Sequence, residues 1–182
     1  MGLFDKLFKK NEDVKAPEKA SDEPDSFDTQ YGRFYYVTYE SAGEYGYECY
    51  IDWYPDGRAQ ELTEVYIDTD TPETTEAVFC YARFEKLFAD RERTDREIKK
   101  LTADYFILRP ELTGGDISQE ELTEDMEISW IGLYRNGNTV FSINEYSLEA
   151  ENISVIIKAD GSREISYVTG EHEDRREHCD KL

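Results

Sequence analysis

Two dipeptides, Asn136-Gly137 and Asp160-Gly161, most constrain what this chain can fold into. Both positions of such a pair tolerate positive φ, which the tight turns between antiparallel strands require. The first lies between "EISWIGLYR" and "NTVFSIN", the second between "NISVIIKA" and "REISYVT", all runs rich in β-branched and aromatic residues. Two hairpins are therefore expected in the C-terminal half.

Strand-like runs also fill the region after Tyr31: "RFYYVTY", "YGYECYIDWY" and "RAQELTEVYID". Tyr54-Pro55-Asp56-Gly57 supplies turn chemistry between the second and third, which predicts an antiparallel meander. Helical signals separate the two groups. Thr71 with Pro72 reads as an N-cap followed by proline at the first helical position, with Phe79, Phe84, Leu87 and Phe88 as apolar positions. Thr94 and Glu97 make a capping-box pattern for a second helix bearing Ile98, Leu101, Tyr105 and Leu108, stopped by Pro110. Ser118 and Glu121 mark a short third helix. The order βββ-αα(α)-ββββ predicts an α+β domain, a largely antiparallel sheet with two main helices on one face.

The 182 residues suffice for one domain with its own core plus appendages. Residues 31–170 are read as that domain. Residues 11–30, with two prolines, many charges and few large apolar side chains, read as a flexible linker, and residues 171–182 as a charged tail.

Charge narrows the function classes. Lys and Arg number 21 against 42 Asp and Glu, a formal net charge of −21. Nucleic acid is disfavoured as a direct partner, because its phosphates call for Lys and Arg. The segments 61–76 and 111–134 contain neither cation, so negative potential is concentrated on parts of the domain. An aromatic content of 14% separates the chain from a disordered polyacid. Cys49, Cys80 and Cys179 form no metal or disulfide pattern, which predicts free thiols, a reducing compartment and a cytoplasmic location. No apolar run approaches the ~18–20 residues that span a bilayer.

The opening "MGLFDKLFKK" contrasts with this acidity. On a helix Leu3, Phe4, Leu7 and Phe8 fall within an arc of roughly 140°, opposite Asp5, Lys6, Lys9 and Lys10. A helix this short orders only against something apolar. Docking on the domain, seating in a partner's groove and weak peripheral contact with the inner membrane face all remain open. The segment resembles openings common in bacterial cytoplasmic proteins.

From about Phe34 to Gly170 the chain resembles a bacterial family catalogued as domain of unknown function 2262. The strand-rich tyrosine and tryptophan segments, two helices, "ISQEEL", "ISWIGLYRNG" and "ISVIIKADG" carry the resemblance. Where that family tends to have an Asn-Asp-Trp-Trp-like cluster this chain has "RPEL", and "YSLEAEN" replaces a Phe-Trp-Gly-His-like stretch, so no residue role transfers. Families of this kind are associated with immunity proteins that neutralise toxins, and the resemblance implies such a role as an expectation.

The early strands suggest a surface. Alternation puts Tyr47, Cys49, Ile51 and Trp53 on one side and Glu48, Tyr50, Asp52 and Tyr54 on the other. On the next strand Thr63, Val65 and Ile67 oppose Glu64, Tyr66 and Asp68. With the first sets in the core, the second sets make an acidic, tyrosine-bearing face suited to a basic protein. The alternative is a solvated face with cross-strand tyrosine pairs.

Catalysis has less support. The two histidines, His172 and His178, lie in the charged tail, away from any nucleophile pattern, and with Cys179 they match no zinc spacing. Asp68 and Asp70 begin like a calcium loop, but Phe79 stands where the closing glutamate belongs. No phosphate-cradling glycine motif occurs. The sequence thus predicts a non-catalytic protein binder without metal or cofactor, immunity-like in action, with a membrane or assembly adaptor acting through residues 1–10 as the alternative.

Overall fold

A computed structural model describes residues 26–39, 44–54, 62–69, 74–113, 117–145, 147–170 and 175–182. The amphipathic opening with Leu3, Phe4, Lys6, Leu7, Phe8, Lys9 and Lys10, the Thr71-Pro72 cap, the Pro55-Asp56-Gly57 turn and His172 lie outside the described residues.

Nine described strands form one sheet, ordered as they occur in the chain: β1 (Ser26–Thr29), β2 (Gly32–Tyr39), β3 (Glu44–Ile51), β4 (Thr63–Asp68), β5 (Glu127–Leu133), β6 (Thr139–Asn144), β7 (Glu151–Ile157), β8 (Arg163–Thr169) and β9 (Arg176–Lys181). Every neighbouring pair is antiparallel except β4 and β5. Parallel neighbours require a crossover, and here it carries four described helices: α1 (Thr74–Ala89), α2 (Arg91–Phe106), α3 (Pro110–Thr113) and α4 (Gln119–Asp125). Two meanders thus become one sheet through a single parallel seam.

The Asn136-Gly137 and Asp160-Gly161 turns join β5 to β6 and β7 to β8, with positive φ at Gly137 and Gly161. Arg83 of α1 secures the first turn. Its guanidinium donates to the carbonyls of Tyr134 (2.8 Å), Gly137 (2.7 Å) and Asn138 (3.0 Å) and to Thr139 Oγ1 (2.6 Å), tying helix to hairpin.

One face of the sheet carries the core. Phe34, Tyr47, Val65, Ile131, Phe141, Val155 and Ile165 are fully buried there, joined by Ala77, Cys80 and Phe84 of α1 and Ile98, Ala103 and Phe106 of α2. Full burial of one such aliphatic or aromatic side chain is worth about 1.5–3 kcal/mol.

The ordered domain extends beyond the expected 31–170. Within the stretch read as linker, Ser26–Thr29 forms β1, because Phe27 stacks on Phe34 at 5.1 Å and 5°. The charged tail also pairs. His178 of β9 stacks on Tyr167 at 4.7 Å and 6°, and Tyr105 donates to Asp180, so polar side chains seat a charged edge strand. The expected seven strands become nine for these two reasons.

Helix boundaries shift too. Thr94 caps nothing: α2 starts at Arg91, and the Thr94 N–H donates to the Asp90 carbonyl inside the helix. Helix α2 ends at Phe106, and Pro110 opens α3 rather than stopping α2, a position where its missing N–H costs nothing. Ser118 and Glu121 do form a capping box on α4. Phe79 and Leu108, assigned to the apolar faces, are 73% and 78% exposed. Among the described residues, no helix is long and apolar enough to cross a membrane.

Candidate functional site

Side chains on β2–β5 that point away from the helices form the candidate surface. Cross-strand register places Tyr35 opposite Glu48, Glu48 opposite Tyr66, Tyr50 opposite Glu64, and Glu64 opposite Trp130. Four strands thereby contribute to one patch.

Two glycines shape its floor. A Cβ on Gly46 would lie 2.3 Å from Tyr66 Cε2, and one on Gly132 would lie 2.2 Å from Trp130 Cη2. The two rings lie over these bare backbone positions, stacked at 6.0 Å and 19°. Tyr39 and Tyr134 flank Tyr66 at 6.3 and 6.0 Å. A layer of aromatic rings covers a sheet face that none of the described helices covers.

The sequence-assigned residues divide sharply. Tyr50 is 60% exposed, Glu48 and Glu64 are half-buried beside it, and Asp52 is exposed just past the end of β3. Asp68 belongs to the same face, but it accepts from the Arg135 N–H (3.0 Å) and Nε (3.2 Å), so its charge is partly neutralised.

Tyr66 is a correction. It faces outward but is only 1% exposed, and its hydroxyl donates to the Tyr45 carbonyl at 2.9 Å. It supports the patch and offers no contact area. Tyr54 is a second correction, because the chain leaves the strand after Ile51 and alternation no longer applies. Its side chain enters the core, where the hydroxyl donates to Asp95 Oδ1 (2.7 Å) and accepts from the Ile128 N–H (2.8 Å). Lys99 completes that buried network, 3.3 Å from Asp95 Oδ2 and over the Tyr54 ring at 4.9 Å.

The sequence reading missed Tyr35, Tyr39 and Trp130. Tyr35 and Tyr39 are 47% and 43% exposed and share the face of Glu48. Alternation along "RFYYVTY" would have found them once the β2–β3 register was known. Trp130 arrives through the parallel seam, and its Nε1–H donates to Glu64 Oε1 at 3.1 Å.

At the centre are two acids. Glu48 accepts from the Tyr39 hydroxyl and lies diagonally across the β3–β4 pairing from Glu64. Burial pushes the Glu48 carboxyl above the usual carboxylate range; the Tyr39 hydroxyl pulls it down and neighbouring Glu64 pushes it further up. The Tyr50 hydroxyl is held above its ordinary value, mainly by the charge of Glu64. Tyr39 is raised chiefly by its hydrogen bond to Glu48.

Chemistry elsewhere is sparse. All three cysteines are free; burial raises the thiols of Cys49 and Cys80. Among the described residues, no group of three or more His, Cys, Asp and Glu is placed to hold a metal ion. His178 lies against Tyr167 with Nε2 2.9 Å from Thr169 Oγ1.

Fold and surface together define a helix-backed α+β domain with an open, acidic and aromatic sheet face. The chain matches no family model, no curated protein and no solved structure.

Proposed function

We propose that the domain is a non-catalytic binding module of a bacterial cytoplasmic protein, immunity-like in action, which occludes a basic protein partner through this face. One observation carries the reading: the exposed rings of Tyr35, Tyr39 and Tyr50 share a face with Glu48 and Glu64, on the side of the sheet that the described helices leave open. Exposed tyrosine offers contact area at low entropic cost, and carboxylates steer a cationic surface toward it. The resemblance to the bacterial family supplies the immunity-like element.

Affinity capture from a bacterial lysate tests the reading, with the full chain compared with a Tyr35→Ala/Tyr50→Ala variant. Basic proteins held by the full chain and lost by the variant support it. Identical capture profiles would remove the face from consideration.

A second reading rests on the apolar and basic sides of residues 1–10, which suit an anionic lipid surface. Vesicle co-sedimentation of the full chain against a version beginning at Asp25, which keeps β1, separates it from the first.

A further inference from the structure

The open sheet face combines exposed aromatic rings with unbalanced charge. Tyr35, Tyr39 and Tyr50 are exposed, and the register puts an acid directly across from each: Glu48, Glu44 and Glu64. Arg33 of β2 and Arg135 of the β5–β6 turn border the face and are engaged by Asp28 and Asp68. Glu44, Glu48 and Glu64 form no ion pair among the described residues. Exposed apolar surface rimmed by charge in this way marks a contact site.

Residues 1–10 of the same chain carry the complementary chemistry, three lysines against one aspartate together with Leu3, Phe4, Leu7 and Phe8. On a helix Lys10 borders the apolar arc and Lys6 lies one turn before it on the same flank, so both long stems can reach sideways past the apolar side. Such a helix is about 15 Å long, close to the roughly 14 Å that separates β2 from β5, three strand spacings away. The point of entry also fits. Strand β1 begins at Ser26, and Ser26 pairs directly with Tyr35. Residues 11–25 reach at most about 50 Å, several times the width of the face. A tether of that length holds its end at an effective concentration on the order of mM, so even a weak contact is populated.

We propose that residues 1–10 dock on this face of their own domain, with the apolar side on the tyrosine rings and Lys6 and Lys10 beside Glu44, Glu48 and Glu64. The apolar contact supplies the surface that so short a helix needs in order to form. An anionic membrane offers the segment similar chemistry but repels a chain of net charge −21, whereas the face attracts the segment and is already tethered to it. The chain is then the first basic ligand of its own face, and a partner that binds there must displace it. The docking uses the face of the protein-binding reading and does not depend on that reading.

The test is carbodiimide crosslinking of the dilute full chain, which joins a lysine amine to a carboxyl in contact with it, followed by peptide mapping. The expected links run from Lys6 and Lys10 to Glu44, Glu48 or Glu64, with few from Lys9 on the far side of the helix. Phe4→Ser/Phe8→Ser keeps every charge and should cut these links by roughly tenfold. Tyr35→Ala/Tyr50→Ala should cut them from the other side of the contact. Undiminished links in the phenylalanine variant would show diffuse attraction between charges and overturn the docking. Links spread evenly to Glu92, Glu111 and Glu177, exposed on α2, α3 and β9, would overturn it in the same way. Links that join isotope-labelled to unlabelled chains in a mixture would make a second copy the occupant. Absence of links to the face would overturn the docking, and sedimentation of the full chain with anionic vesicles would then assign the segment to lipid. Failure of the docking leaves the protein-binding reading to its own capture experiment.

Discussion

Tyr54 and Asp95 are 41 positions apart, yet they share a buried 2.7 Å hydrogen bond that ties the chain just after β3 to α2. The same hydroxyl receives the Ile128 N–H, so one side chain joins the end of β3, the crossover helix and the start of the parallel seam.

Replacing Tyr54 with Phe keeps the ring and removes the hydroxyl, leaving the Ile128 N–H and one Asp95 oxygen without their partner. Each buried group stranded in this way costs about 1–3 kcal/mol. Tyr54→Phe should therefore lower the urea midpoint markedly with little change in slope. An unchanged midpoint would mean that water replaces the hydroxyl without loss.

The glycine floor predicts a packing defect. Alanine at Gly46 puts its Cβ 2.3 Å from Tyr66 Cε2 and 2.6 Å from the Ile67 carbonyl oxygen, so both ring and backbone must move. Overpacking of this kind costs about 1–3 kcal/mol. The double variant Gly46→Ala/Tyr66→Ala should lose less than the two single losses combined, because the ring that clashes is gone. Strict additivity in denaturation experiments would refute the contact.

The pH dependence of stability follows from Glu48, whose folded-state pKa is raised by burial. A raised carboxyl contributes stability that is full below the unfolded value and is lost as pH rises through the folded one. Glutamine cannot ionise and suffers no such loss. Relative to the native chain, Glu48→Gln should gain stability between the ordinary glutamate range and neutrality, with the gain shrinking as pH falls below that range. Thermal melts across this interval would contradict the assignment if the native chain gained on the variant as pH rose.

Edge strand β9 depends on side-chain contacts. Tyr105 donates to Asp180 and lies 3.1 Å, oxygen to oxygen, from the Tyr167 hydroxyl, while Arg109 covers the Tyr105 ring at 3.4 Å. Asp180→Ala removes an acceptor worth about 1 kcal/mol, which corresponds to roughly fivefold faster local opening. Hydrogen exchange should quicken in Arg176–Lys181 and stay unchanged in β5 and β6. Uniform acceleration would show that β9 opens only with the whole domain.

Local chemistry made much of this fold legible in the sequence. Positive-φ turn pairs mark the hairpins at Gly137 and Gly161, the capping box marks α4, and period-two alternation separates Tyr47, Cys49 and Ile51 from Glu48 and Tyr50. Each of these depends on residues within a few positions of one another. Strands β1 and β9 were hidden because the partners that seat them, Phe34 for Phe27 and Tyr167 for His178, act across strands.

The site shows the same division. Sequence alternation determined that Glu48, Tyr50 and Glu64 share a face; tertiary structure alone decided that Trp130 joins them, because a parallel pairing across the helical crossover has no local signature. It also decided that Tyr66 is covered and Tyr54 is core, since exposure depends on what other strands and helices place over a ring. A chain's own periodicity sets which way a side chain points, and distant segments set what it meets there.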